Sequence, residues 1–172
     1  MMRMTETQGK FSITRADHTG FTVDSLSEAL AFWNGVLGFE IDATFDLGGE
    51  LLENVTGVEG AEVSIAAVVA PGGHVIELLE YKGPATRTKL SPRPCDVGSV
   101  HICFEVDDLD AVLARVARSG WKCQGIPQQL PSGKRAGDRI VYVRGTDGIT
   151  VEFIEPARAR RASGSGRAIR QA

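Results

Sequence analysis

The chain predicts an α+β protein of paired βαβββ modules, forming a curved mixed sheet with a metal-binding cleft. Three observations predict it. HTGFTVDSL, opening at His18, is matched by HICFEVDDLD, opening at His101. GGHVIELLEY, which contains Glu77, is matched by DGITVEFIE, which contains Glu152. In each repeat the apolar pattern changes from strand alternation to helical spacing just after the histidine segment. Overlaying the repeats puts His18 on His101, Phe21 on Phe104, Val23 on Val106 and Leu26 on Leu109, and at the far ends Ile76 on Val151 and Glu77 on Glu152.

Each element follows in order. Asp17 to Val23 alternates as a strand. Asp24 or Ser25 can cap a helix from about Leu26, with Glu28 at capping-box spacing from Ser25. Leu26, Ala29, Leu30, Trp33 and Leu37 form its apolar stripe, and Gly38 stops it. Phe39 to Phe45 reads as a strand. Asp46 to Gly60, rich in glycine and acids, reads as a loop or short irregular helix. Ala61 to Ala70 and His74 to Tyr81 are strands joined by Pro71-Gly72-Gly73.

The second repeat gives a strand at Val100 to Val106 and a helix from Asp107 to Ser119 that ends at Gly120. A strand follows near Trp121 to Gln124, then a Pro/Gly loop from Gly125 to Asp138. Arg139 to Arg144 and Ile149 to Glu155 close a hairpin. The expected divisions are a flexible leader 1–14, a first module 15–81, a linker 82–98 carrying Pro84, Pro92 and Pro94, a second module 99–156 and a disordered basic tail 157–172.

Bulk properties narrow the class. The 172 residues are 42% hydrophobic and 24% charged, ordinary values for a globular protein with one sizeable core. No apolar run is long enough to span a bilayer, and MMRMTETQGK lacks the apolar core of a signal peptide. Cys95, Cys103 and Cys123 show no CxxC spacing, which points to a reduced, cytoplasmic setting. Net charge is −3, and the tail holds arginines without acids, so the body is the more acidic part. An acidic body argues against a nucleic-acid or membrane partner.

Strand phase decides where the polar residues point. Ile102, Phe104 and Val106 share the helix-covered face, as do Val151 and Phe153; His101, Cys103, Glu105 and Glu152 share the other. The first module repeats this, with Ile76 and Leu78 inward and Glu77 outward. His18, Glu77, His101 and Glu152 therefore all belong to the concave face. Two imidazoles and two carboxylates suit one divalent Zn, Ni, Co, Fe or Mn ion better than Ca or Mg. His74, three residues before Glu77, falls on the opposite face. Cys103 and Tyr81 are in phase with the candidate ligands, and Lys134, Arg135 and Arg139 flank the long loop where they could hold an anionic group.

These motifs resemble the vicinal oxygen chelate superfamily, which includes glyoxalase I, methylmalonyl-CoA epimerase, extradiol dioxygenases and bleomycin-resistance proteins. The resemblance covers about Asp17 to Pro156 and rests on HTGFTVDSLSEALAFWNGVLGFE, VHICFEVDDLDAVLARV and GTDGITVEFIE. It implies one divalent metal held by His18, Glu77, His101 and Glu152, a small carbonyl or thioester substrate, and a homodimer. A fourth ligand at Glu77 is more similar to glyoxalase I than to the three-ligand dioxygenases. The implied activity is that of an isomerase or lyase, moving a proton next to a metal-bound carbonyl through an enolate, with Glu152 or Glu77 as base and Glu152 the first choice. Where the epimerases place a second acid, this chain offers Ser64, Ile65 and Ala66. A non-haem iron dioxygenase and a ligand-sequestering protein of the bleomycin-resistance type are the alternatives.

Overall fold

The computed structural model describes residues 11–158; the expectations for 1–10 of the leader and 159–172 of the tail lie outside the described residues. Two mixed sheets carry the fold. The first contains β1 (His18–Thr22), β2 (Glu40–Gly48), β3 (Glu62–Val69) and β4 (Val75–Gly83) in the order β1-β4-β3-β2. The second contains β5 (His101–Glu105), β6 (Lys122–Cys123), β8 (Arg139–Arg144) and β9 (Thr150–Glu155) in the order β5-β9-β8-β6, with β7 (Gln128–Gln129) also on β8. The opening strand of each module runs parallel to its closing strand, and the remaining pairs are antiparallel. A parallel pair needs a crossover, which the helix of each module supplies.

The first crossover is α1 (Leu26–Leu30), which continues as a π-helical stretch over Ala31–Val36. Ser25 caps it by accepting from the Glu28 amide, as the spacing predicts. In the widened turn Phe32 and Trp33, adjacent in sequence, are both buried. Trp33 stacks on Phe21 of its own sheet, while Phe32 stacks on Trp121 of the second module with centroids 3.6 Å apart. The turn thus serves two cores at once. Gly38, at φ 79°, ends it. The second crossover is α3 (Leu109–Ala117), capped by Asp108, whose carboxylate accepts from the Ala111 amide.

A second repeated glutamate, Glu80 in the first module and Glu155 in the second, holds each helix to its sheet. The Leu26 amide donates to Glu80 at 2.8 Å, and the Leu109 amide donates to Glu155 at 3.0 Å. Both carboxylates meet amides that have no partner inside the helix, at the positive end of its dipole.

The helix-facing sides of both modules merge into one core, including Val23, Trp33, Ile76 and Leu78 from the first and Leu109, Val116, Val151 and Phe153 from the second. A smaller cluster lies on the other face of the first sheet, where Leu52 of α2 (Gly49–Thr56) packs on Ala61, Val63 and Ile65, with Leu79 and Tyr81 beside it. One expectation shifts here and one alternative is chosen. β2 runs on to Gly48 because it pairs with β3 along most of its length, and of the loop or short helix expected for the glycine- and acid-rich segment after it, the helix forms as α2. Between β4 and β5 the chain crosses the second hairpin so closely that a side chain at Gly148 would meet the Leu90 carbonyl at 2.8 Å.

Candidate functional site

Each module brings its own histidine and glutamate together. His18 Nε2 lies 3.3 Å from Glu77 Oε2, and His101 Nε2 lies 3.2 Å from Glu152 Oε2. The same construction produces both pairs: the histidine opens the edge strand, and the glutamate projects from the parallel strand beside it. Both glutamates are half-buried or nearly covered, while both rings keep 42% of their side-chain surface exposed.

These distances fit a metal. Donors held about 2.1 Å from an ion and at right angles to each other stand about 3 Å apart. Each pair is therefore spaced as two neighbouring ligands. The two pairs do not converge within one chain, however: they stand on different sheets, and among the described residues no group of three or more His, Cys, Asp or Glu is arranged to hold an ion. The modules join through their helix faces, so the sheet faces carrying the pairs do not close on each other. The edge strands β1 and β5 each pair on one side only among the described residues.

The surroundings of the pairs differ. Asp17 Oδ2 lies 3.2 Å from His18 Nδ1, a contact that leaves Nε2 turned to Glu77 and holds the Asp17 carboxyl below its usual value, with help from Arg15. At the other pair the Tyr142 hydroxyl lies 3.3 Å from His101 Nε2, the rings are 4.8 Å apart, and Tyr142 sits opposite Glu152 in the strand register. Burial, and then Glu152, push the Tyr142 phenol up. Sequence reasoning missed both Asp17 and Tyr142. Tyr142 was findable, since alternation in Arg139–Arg144 places it on the face of Glu152.

The remaining candidates separate. Cys103 lies beside Glu152, and burial followed by that carboxylate pushes its thiol up to about 11, so it is a neutral lining group. Tyr81 packs against the small cluster under α2. Arg135 reaches to 4.0 Å from Glu105 on the second concave face, and Arg158 also pairs with Glu105. Lys134 is exposed on the turn beside it. Arg139 departs from its expectation: it shares phase with Val141 and Val143, and its guanidinium binds Asp110 through two hydrogen bonds and also reaches Glu155. It clamps α3 on the helix side, away from the His–Glu pair. His74 also sits off that face, with Nε2 2.9 Å from the Thr19 hydroxyl.

Two parallel-edged modules with a repeated His–Glu pair define a class, and comparison with known proteins supplies its name. Residues 15–153 match the Glyoxalase/Bleomycin resistance protein/Dioxygenase superfamily, and the chain belongs to it. It is 33% identical over 141 residues to a 2-epi-5-epi-valiolone epimerase from an Actinomyces species, covering 80% of this chain and 76% of that protein. Among solved structures it is similar to a glyoxalase family protein from Bacillus cereus, with a TM-score of 0.74 and 28% identity, covering 86% of this chain and 97% of that one. The fold is shared with a fosfomycin resistance protein from Listeria monocytogenes solved with Mn(II) and sulfate, at TM-score 0.55 and 16% identity over 88% of this chain and 99% of that one. No helix among the described residues is long and apolar enough to cross a membrane.

Proposed function

We propose that the protein is a divalent-metal-dependent epimerase, exchanging a proton on a carbon next to a carbonyl group of a small molecule. The observation that carries this reading is the pair of two-donor half-sites, His18–Glu77 and His101–Glu152, each at ligand spacing. The identity to an epimerase over most of the chain supports the reaction type. Two copies complete the site in this reading. The open edge of β1 in one copy meets β5 of the other, so that each His18–Glu77 pair faces a His101–Glu152 pair and a homodimer holds two sites.

Bound there, the ion would act as a Lewis acid on the substrate carbonyl and acidify the neighbouring C–H. The protein's own part is proton transfer. A glutamate oxygen takes the proton as the C–H bond breaks, leaving a planar enolate. A proton delivered to the opposite face inverts the carbon, with no net change in protons or electrons. Asp17 keeps His18 Nε2 turned inward, and Tyr142 packs against His101.

The test is isotopic. Protein purified without chelator should bind about one Zn, Ni, Co or Mn ion per chain, and should wash deuterium from D2O into the carbon beside the carbonyl of a 2-epi-5-epi-valiolone-type ketone, losing both with EDTA. Exchange that persists without metal would overturn the reading, as would a protein that takes up no divalent ion.

A further inference from the structure

The stretch before β1 is patterned like a strand but joins no sheet. Residues 11–17 carry no regular structure, and none takes a positive φ. Phe11 and Ile13 alternate with Ser12 and Thr14, and keep 89% and 86% of their surface exposed. In extended chain, alternation puts Phe11 and Ile13 on the side of Phe21, and Ser12 and Thr14 on the side of His18. Two exposed apolar side chains alone would be ordinary. Here a groove of matching character lies along the other edge strand.

That groove, of about 720 Å³, runs down the helix side of β5. Leu37, Phe39, Phe104, Val106 and Val112 form its apolar walls, and all but Phe39 are only partly buried. Arg115 reaches from α3 to the Gly35 carbonyl at 3.1 Å, tying together the two helices that border it. None of residues 11–17 of the same chain lines this groove.

Joining β1 of one copy to β5 of another decides how arm and groove meet. Each edge strand runs parallel to its sheet neighbour, β4 beside β1 and β9 beside β5, through crossovers of one hand. Two such edges can join with their His–Glu pairs on one face only if the strands run antiparallel. With His18 of one copy opposite His101 of the other, residues before His18 lie alongside residues after His101. Ile13 then falls at Val106 and Phe11 at Asp108, both lining residues of the groove, with Ile13 on its helix side. By the same register the exposed Val100 falls at Thr19.

We propose that residues 11–17 form an exchanged arm, whose Phe11 and Ile13 seat in the groove of a second copy between β5, α3 and the end of the first helix. The exchange is reciprocal, and the partner is a second copy of this chain. The arm fastens two copies beside the metal site without touching the chemistry. Its register rests on the two-copy site proposed above, but the apolar seat itself needs no metal.

Photochemical cross-linking of the full chain in EDTA tests it. With Phe11 replaced by p-benzoylphenylalanine, irradiation should give a covalent dimer whose linked peptide contains Leu37, Phe104 or Val112. A mixture of isotopically heavy and light chains shows that the link joins two copies. Ile13→Asp should raise the dimer dissociation constant, read by sedimentation equilibrium, by about tenfold or more, because the seat would strip water from the carboxylate. Its unfolding midpoint at monomer concentrations should match wild type, since Ile13 is exposed in the single chain. A link within one chain, a link to another surface, no link, or an unchanged dissociation constant would overturn the exchange. Zn(II) held between copies whose Ile13→Asp variant dimerises like wild type would sink the arm and leave the metal reading standing. The expected links in a protein that takes up no Zn(II) would do the reverse.

Discussion

At the residue scale, the proposed metal site depends on which ring nitrogen of His18 faces Glu77. Asp17 Oδ2 lies against Nδ1 and leaves Nε2 turned to Glu77. Asp17→Asn should therefore lower divalent-metal affinity by about tenfold or more while leaving the unfolding midpoint near wild type, because Asp17 is exposed and its loss removes no buried contact. Isothermal titration beside urea unfolding checks both. The strand phase of His18, Glu77, His101 and Glu152, and so the pairing of histidine with glutamate within each module, was legible in the sequence because strand alternation is a local rule and the repeat doubles the signal. Arg139 was not placed correctly. Its position beside a loop suggested a ligand contact, whereas its parity with Val141 and Val143 commits it to the helix side and to Asp110. Position relative to a loop says nothing about direction; parity does.

At the element scale, Glu80 and Glu155 tie strand to helix within each module. Lys82 and the Leu26 amide hold the Glu80 carboxyl below its ordinary value. A depressed folded-state value means the contribution is complete above the unfolded glutamate value of about 4.3 and is lost as pH falls through the lower folded value. Glu80→Gln should accordingly unfold at lower urea than wild type at neutral pH, with the gap closing as pH drops through that window. A gap that stays constant or widens in acid would contradict the assignment. These clamps were hard to read from sequence, since they join residues more than forty positions apart and a strand glutamate looks the same whether solvated or capping. By contrast the Ser25 cap was legible, because its partner is three residues away. The length of β2 was not, because pairing with β3 decides it, and burial of Leu52 selects the short helix over the loop for α2.

At the scale of the whole molecule, the fold divides one expected site into two. The paired βαβββ architecture follows from the repeat, yet the repeat cannot say whether the modules meet by their sheet faces or their helices. Phe32 on Trp121 and the shared core settle that for helices, with the His–Glu pairs left on separate sheets. The account's central claim is that His18–Glu77 of one copy and His101–Glu152 of another form a single metal site. Mixing the His18→Ala and His101→Ala variants tests it most directly. Each variant alone lacks one ligand in every site. In a mixed dimer one site lacks both histidines and the other is intact. After subunit exchange the account predicts the return of tight metal binding to about half of the sites in the mixed dimers, detected by metal titration of the re-purified mixture. A mixture that binds no better than the two variants measured apart would contradict it.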